Sequence, residues 1–136
     1  MIITAVTMCA ITSYHEARST KFSEQINVAS VIYNRAPTMD YKGVSGVVFA
    51  KRQFSSMAGF KPRQKFNSIT DLLAYYKVDD LLSFTQAIQA CSLARDMRAN
   101  YTYFTNKNVK VNWSNGMTKT TTQSFNFYKE KESKCD

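Results

Sequence analysis

The chain has 136 residues, 44% of them hydrophobic, with 18 Lys and Arg against 10 Asp and Glu for a formal net charge of +8. That length and apolar fraction suit one domain, residues 1–136, and the lack of charge blocks and low-complexity runs excludes a disordered chain. The positive balance favours anionic partners such as nucleic acid, a membrane surface or a polyanionic cell wall, and basic residues scattered from Arg18 to Lys134 predict a surface-wide field and not a binding arm.

No stretch approaches the ~18 apolar residues of a membrane span. Met1–Ala10 is apolar but has no basic n-region, so it reads as the first helix of the domain and not as a signal peptide. Ile3, Val6, Ala10 and Ala17 recur at the spacing of one buried helix face. That helix runs into Tyr14-His15-Glu16-Ala17-Arg18 and stops before the polar loop Ser19-Thr20-Lys21. Glu16 thus falls in a last turn, where unpaired carbonyls disfavour negative charge; a carboxyl group in such surroundings suits a general acid. On chemistry alone the commoner role, an ion pair with Arg18 or Lys21, carries more weight.

Ser23 is expected to cap a second helix, with Glu24 in its first turn and Ile26, Ala29, Val31, Ile32 and Tyr33 on a wide apolar face. Ala36-Pro37 ends it, because proline disfavours helix in the residue before it. A loop over 37–43 leads to Val44–Ala50, which suits a helix of one or two turns. Residues 57–67, with Gly59, Pro62, Lys61, Arg63 and Lys65, are expected as a mobile surface loop. Ser68 and Asp71 resemble a capping box before a short helix carrying Leu72, Leu73, Tyr75 and Tyr76. Asp79 or Asp80 starts the longest helix, about 80–98, with Leu81, Phe84, Ile88 and Cys91 in one stripe beside Ala87 and Ala94. From Tyr101 the composition turns to Thr, Val, Tyr and Phe, which predicts strands at 101–106, 109–113 and 125–131 and a turn at Ser114-Asn115-Gly116. Helices first and strands last give an α+β fold, mostly helical with a small C-terminal antiparallel sheet.

The odd cysteine count, Cys9, Cys91 and Cys135, argues against a disulfide framework and a zinc site; Cys9 and Cys91 are expected as buried free thiols. His15 is the single histidine, so a two-histidine metal helix and a Ser-His-Asp triad have little to build on, and no cofactor or metal is expected. Glycine-rich phosphate loops are missing. A hydrolase built on carboxylates survives. Glycoside cleavage normally uses two carboxyl groups about 5–9.5 Å apart. Glu24, and after it Asp40, is the nearest partner for Glu16, although Glu24 at a helix start has a sufficient structural role. One carboxyl group suffices when the sugar's own 6-hydroxyl closes on its anomeric carbon.

The run Tyr14-His15-Glu16-Ala17-Arg18, followed by Gln25, Val28-Ala29-Ser30-Val31 and Asn34-Arg35, resembles the SleB-type cell-wall hydrolases, the spore-cortex-lytic enzymes and their bacterial and phage relatives. Gly46-Val47-Val48-Phe49, Gln53-Phe54-Ser55, Tyr103-Phe104-Thr105-Asn106, Asn112-Trp113 and Phe127-Tyr128 are similar to its later blocks, in the same order. The resemblance implies a lysozyme-like catalytic domain that cuts the glycan strand of peptidoglycan. It implies Glu16 as the catalytic glutamate and Gln53, Ser55, Tyr103, Asn106 and Trp113 as substrate-binding residues; Glu24, from the residues themselves, stays the candidate secondary carboxylate ahead of Asp40. Thr20 stands where the family often has a second Glu, and Phe125 where it usually has a His, which favours a one-glutamate lytic transglycosylase over a two-carboxylate muramidase. Peptidoglycan and anionic cell-envelope polymers are the expected partners, of a monomer without a dedicated nucleic-acid site. The expected setting is a phage endolysin, made in the host cytoplasm and acting at the wall after release, or a catalytic domain cut from a longer enzyme. The competing class is a non-catalytic basic domain that binds peptidoglycan or nucleic acid through its strand aromatics.

Overall fold

A computed structural model describes residues 1–50 and 54–131. Five α-helices precede three strands: α1 (Ala5–Ala17), α2 (Phe22–Arg35), α3 (Tyr41–Val48), a 3-10 turn at Ser55–Met57, α4 (Ile69–Tyr75), α5 (Leu81–Asp96), β1 (Tyr103–Asn106), β2 (Met117–Thr121) and β3 (Phe125–Glu130). The α+β class is as expected.

α1 is the central helix. Thr4 caps it, its hydroxyl accepting the Thr7 N–H at 3.3 Å, and α5, α3 and α2 all pack on it. Met8 to Tyr14 are buried without a break, so α1 is covered on nearly every side and has no single apolar face. Ile3 is buried but precedes the helix, and Val6 is only partly covered.

α2 begins two residues earlier than expected. Lys21 occupies the capping position without a side-chain bond, so Ser23 is not the cap. α2 ends at Ala36 before Pro37, as the sequence dictates. Asp40 caps α3 by accepting from Gly43 N–H at 2.9 Å, which starts that helix ahead of the expected Val44. Ser68 accepts from Asp71 N–H at 3.2 Å, and Asp80 starts α5 by accepting from Ser83 N–H at 3.1 Å. The buried face of α5 is Phe84, Ala87, Ala90, Cys91 and Ala94; Leu81 is 62% exposed and Ile88 lies at the rim. Alanine wins these positions because α5 touches both α1 and α2, and small side chains let helix backbones approach.

The stretch 57–67 is no free loop. Ile3 N–H donates to Gln64 O at 2.9 Å and Phe66 N–H to Met1 O at 2.8 Å, while Phe66 and Met57 are buried. Tyr76 Oη donates to Lys61 O or Arg63 O, both at 3.2 Å, and accepts from Arg63 N–H at 3.0 Å; burial pushes this phenol up to about 12.

Cys9 and Cys91 are joined, which corrects the expectation of two free thiols: a disulfide links α1 to α5 with Cα atoms 6.0 Å apart. Helix packing brings residues 82 apart in sequence to bonding distance, which spacing along the chain does not reveal.

The sheet is antiparallel in the order β1-β3-β2. Its middle segment also corrects the sequence reading. Residues 109–113 form no strand, and Met117–Thr121 pairs with β3 instead. Gly116, at φ +82, and the Met117 N–H bond to Ser114 O make the expected turn, but it leads into β2 from a loop. The loop lays Trp113 on the sheet, its ring 5.1 Å from Tyr103 and 5.1 Å from Tyr128. Phe125 and Phe127 join the helical core from the other face.

Candidate active site

Glu16 is the penultimate residue of α1, half-buried. Its Oε1 accepts from Ser56 Oγ at 2.6 Å and from Ser56 N–H at 3.3 Å. Ser56 lies in the 3-10 turn that packs against α1. Among the described residues Glu16 pairs with neither Arg18 nor Lys21. Arg18 turns to Asp79, Nη1 to Oδ1 at 3.2 Å, and to the hydroxyl of Tyr14.

Tyr14 ties the end of α1 to the start of α5. Its hydroxyl donates to Asp79 Oδ1 at 2.7 Å and accepts from Asp79 and Asp80 N–H at 3.3 and 3.2 Å. Hydrogen bonds from Tyr14 and Arg18 hold the Asp79 carboxyl below its ordinary range. Because residues two apart on a helix face away from one another, this cluster fixes the back of the turn that carries Glu16. His15 Nε2 is 2.6 Å from Tyr76 O, and its ring packs near Phe60, so it has a local structural role.

Glu24 is a different kind of acid. It is 1% exposed, and its Oε2 accepts from Ser124 N–H at 2.8 Å and from the Thr122 hydroxyl. Burial raises its pKa, but these hydrogen bonds outweigh that and hold the carboxyl below its ordinary value. Glu24 fastens the start of α2 to the β2–β3 turn and is closed to substrate. Asp40 is committed to capping α3.

A pocket of ≈ 340 Å³ opens beside the sheet, and Tyr103, Trp113, Phe54, Arg35 and Met117 are among its walls. The Arg35 guanidinium stacks over the Tyr103 ring at 4.6 Å; burial holds its pKa below the ordinary value, and Tyr103 offsets only part of that. Trp113 is 46% exposed, so an indole face is open there. Glu16 is not a wall of this pocket. The connection is the 54–56 segment: Phe54 lines the pocket, and Ser56, two residues on, holds Glu16.

The structure therefore brings Tyr103 and Trp113 together and places Glu16 one short segment away. It does not gather the rest. Ser55 is exposed and makes no bond to Glu16; the serine that does is its neighbour Ser56. Asn106 sits at the exposed far end of β1, where its carbonyl accepts from Val109 N–H. Gln53 lies outside the described residues. Arg35 was legible only as the end of α2, yet it reaches the pocket, whereas Asn34 is structural, its Nδ2 donating to Ala99 O at 2.7 Å and Tyr101 O at 2.8 Å. A cation four residues beyond Val31 on one helix face was the available signal, since both line the pocket. Among the described residues no three His, Cys, Asp or Glu side chains cluster to hold a metal ion.

No curated protein and no solved structure matches the chain. The profile of the family described as Cell Wall Hydrolase does, over residues 19–128. The match begins at Ser19 and so takes in α2, the 54–56 segment and the sheet through Tyr128, leaving Glu16 just upstream. Since that match spans well over half of the chain, the protein belongs to the SleB-type cell wall hydrolase family, whose general role is peptidoglycan hydrolysis.

Proposed function

We propose that the chain cleaves the glycan strand of peptidoglycan as a lytic transglycosylase, with Glu16 as the single general acid and base. The contrast between Glu16 and Glu24 supports this reading: Glu16 is half-buried with only Oε1 occupied by the described residues, while Glu24 is sealed under the β2–β3 turn. Glu16 gives its proton to the glycosidic oxygen as the bond to the anomeric carbon breaks. The resulting carboxylate then takes the proton of the sugar's 6-hydroxyl, whose oxygen closes on that carbon to leave a 1,6-anhydro end. The Ser56 hydroxyl steadies Oε1 and leaves Oε2 for the transfer. Trp113, beside Tyr103, offers an open ring face on which a sugar can stack.

We place this activity at the cell wall, in an endolysin-like role. The Cys9–Cys91 bridge supports an oxidising compartment, where such bonds persist.

Clearing of a peptidoglycan suspension tests the enzyme reading. Glu16→Gln is expected to lose at least ~100-fold in rate with an unchanged fold; equal clearing by both proteins would sink the role of Glu16. Mass spectrometry of the products tests the mechanism: 1,6-anhydro ends support transglycosylation, and reducing ends assign hydrolysis by water.

A further inference from the structure

A second hollow, of ≈ 510 Å³, lies on the sheet face away from the helices, with Lys107, Lys110, Lys119, Val109, Asn126 and Tyr128 among its walls. The pairing of β3 explains its position. Phe125 and Phe127 point into the helical core, so Asn126 and Tyr128 face the other way, and Lys119 of β2 stands opposite Tyr128. The loop after β1 closes the hollow from the side, held by Asn126 Nδ2 donating to Lys107 O at 2.9 Å. This hollow adjoins the pocket of Tyr103 and Arg35: Trp113 lines that one, Tyr128 lines this one, and their rings are 5.1 Å apart.

The charge in it is of one sign. No acidic residue lines it, and among the described residues its three lysines form no ion pair. Like charges around one opening repel, and an anion seated between them relieves that repulsion. Lys129 and Lys131 lie around a separate hollow that contains Glu130, so no continuous basic track leads away as a long polyanion would need. The occupant favoured is short, anionic and close to whatever fills the aromatic pocket.

Peptidoglycan supplies such a group, because its glycan strand carries short peptides with free carboxylates. We propose that this basic hollow seats the carboxylate-bearing peptide of the strand whose sugar lies in the adjoining aromatic pocket. The proposal rests on the reading of the chain as an enzyme that cuts the glycan. Lys107, Lys110 and Lys119 make it a recognition site for peptide-bearing strands, and Val109 offers an apolar edge to small side chains.

Two measurements test it. The first is an NMR titration with the free acidic stem peptide. Wild type should show shifts at residues 107–111 and 119, and K107Q/K110Q/K119Q should bind about tenfold more weakly or not at all. The loop pair K107Q/K110Q should move the same way if the change in β2 disturbs folding. The second compares cleavage of intact strands with strands stripped of peptide by an amidase. Wild type should favour intact strands about tenfold, and the triple variant should cut both alike. No peptide binding by wild type, undiminished binding by the triple variant, or tighter binding of poly(glycerol phosphate) in the same hollow overturns the proposal. If wild type cuts neither substrate, glycan cleavage is what fails; the titration then decides alone, lysine-dependent binding upholding the peptide site and its absence overturning it.

Discussion

A hydroxyl and a carboxylate at 2.6 Å define the residue scale of this molecule, for Ser56 is the polar contact that Glu16 makes among the described residues. Ser56→Ala should lower kcat about tenfold with KM nearly unchanged, because it frees the acid to rotate without touching sugar binding. An equal loss in KM would instead put Ser56 in the binding surface. Glu24→Ala should separate the two acids. It leaves the Ser124 N–H without its acceptor and the Thr122 hydroxyl with Phe125 O alone, and should cost about 1–3 kcal/mol in denaturant unfolding, while the folded protein keeps its activity. The sign of the pH effect follows from the depressed Glu24 pKa. An anchored carboxylate stabilises the fold fully above its unfolded value near 4.5, and that contribution disappears as pH falls through the lower folded value. Wild type should therefore lose stability below about pH 4.5 more steeply than Glu24→Ala, as thermal melts at successive pH values would show. The helix-end position of Glu16 was legible in the sequence because the apolar periodicity stops just beyond it. Ser56 was not, since a three-residue 3-10 turn leaves no periodicity to read.

At the scale of elements, two helix ends carry backbone conformations that favour glycine. Ser19 follows α1 at φ +70, and Lys77 follows α4 at φ +53. Around Lys77 the Val78 N–H bonds to Leu73 O at 2.8 Å and the Lys77 N–H to Ala74 O at 3.2 Å, the paired bonds of a Schellman end. Ser19→Gly and Lys77→Gly should each stabilise by about 0.5–1 kcal/mol, because an L side chain is strained in that region. A fall in Tm for either would show that its side chain contributes more than its backbone costs. The caps at Ser68 and Asp80 were readable in advance, since capping needs only a side-chain oxygen and N–H groups a few residues on. The choice of β2 was not. Val109–Trp113 and Met117–Thr121 both hold strand-forming residues. The hairpin wins because the Thr122–Ser124 turn is fastened by Glu24, a residue about a hundred positions away.

For the whole molecule the decisive link is the Cys9–Cys91 bond between the helix that carries Glu16 and the longest helix of the chain. Closing a separation of 82 residues constrains the unfolded chain, so reduction or a Cys9→Ala/Cys91→Ala change should cost roughly 4–5 kcal/mol. Urea unfolding with and without a thiol reductant measures this. A midpoint that does not move would show that the packing of α1 on α5 suffices without the bond. The bridge, the Tyr14 hydroxyl at Asp79 and the buried alanines of α5 all hold the same pair of helices, so the helix that carries Glu16 is tied to α5 in three ways.

By itself the sequence determined the order of helices and strands, the caps at Ser68 and Asp80, the helix-end position of Glu16 and the family pattern, because each depends on residues close together in the chain. Tertiary structure decided which serine meets Glu16, that Glu24 is sealed, that Arg35 joins Tyr103 and Trp113, that residues 57–67 are strapped down, and that Cys9 finds Cys91. Each of these contacts depends on how helices and sheet pack, and hydrophobic burial selects that packing for the molecule as a whole.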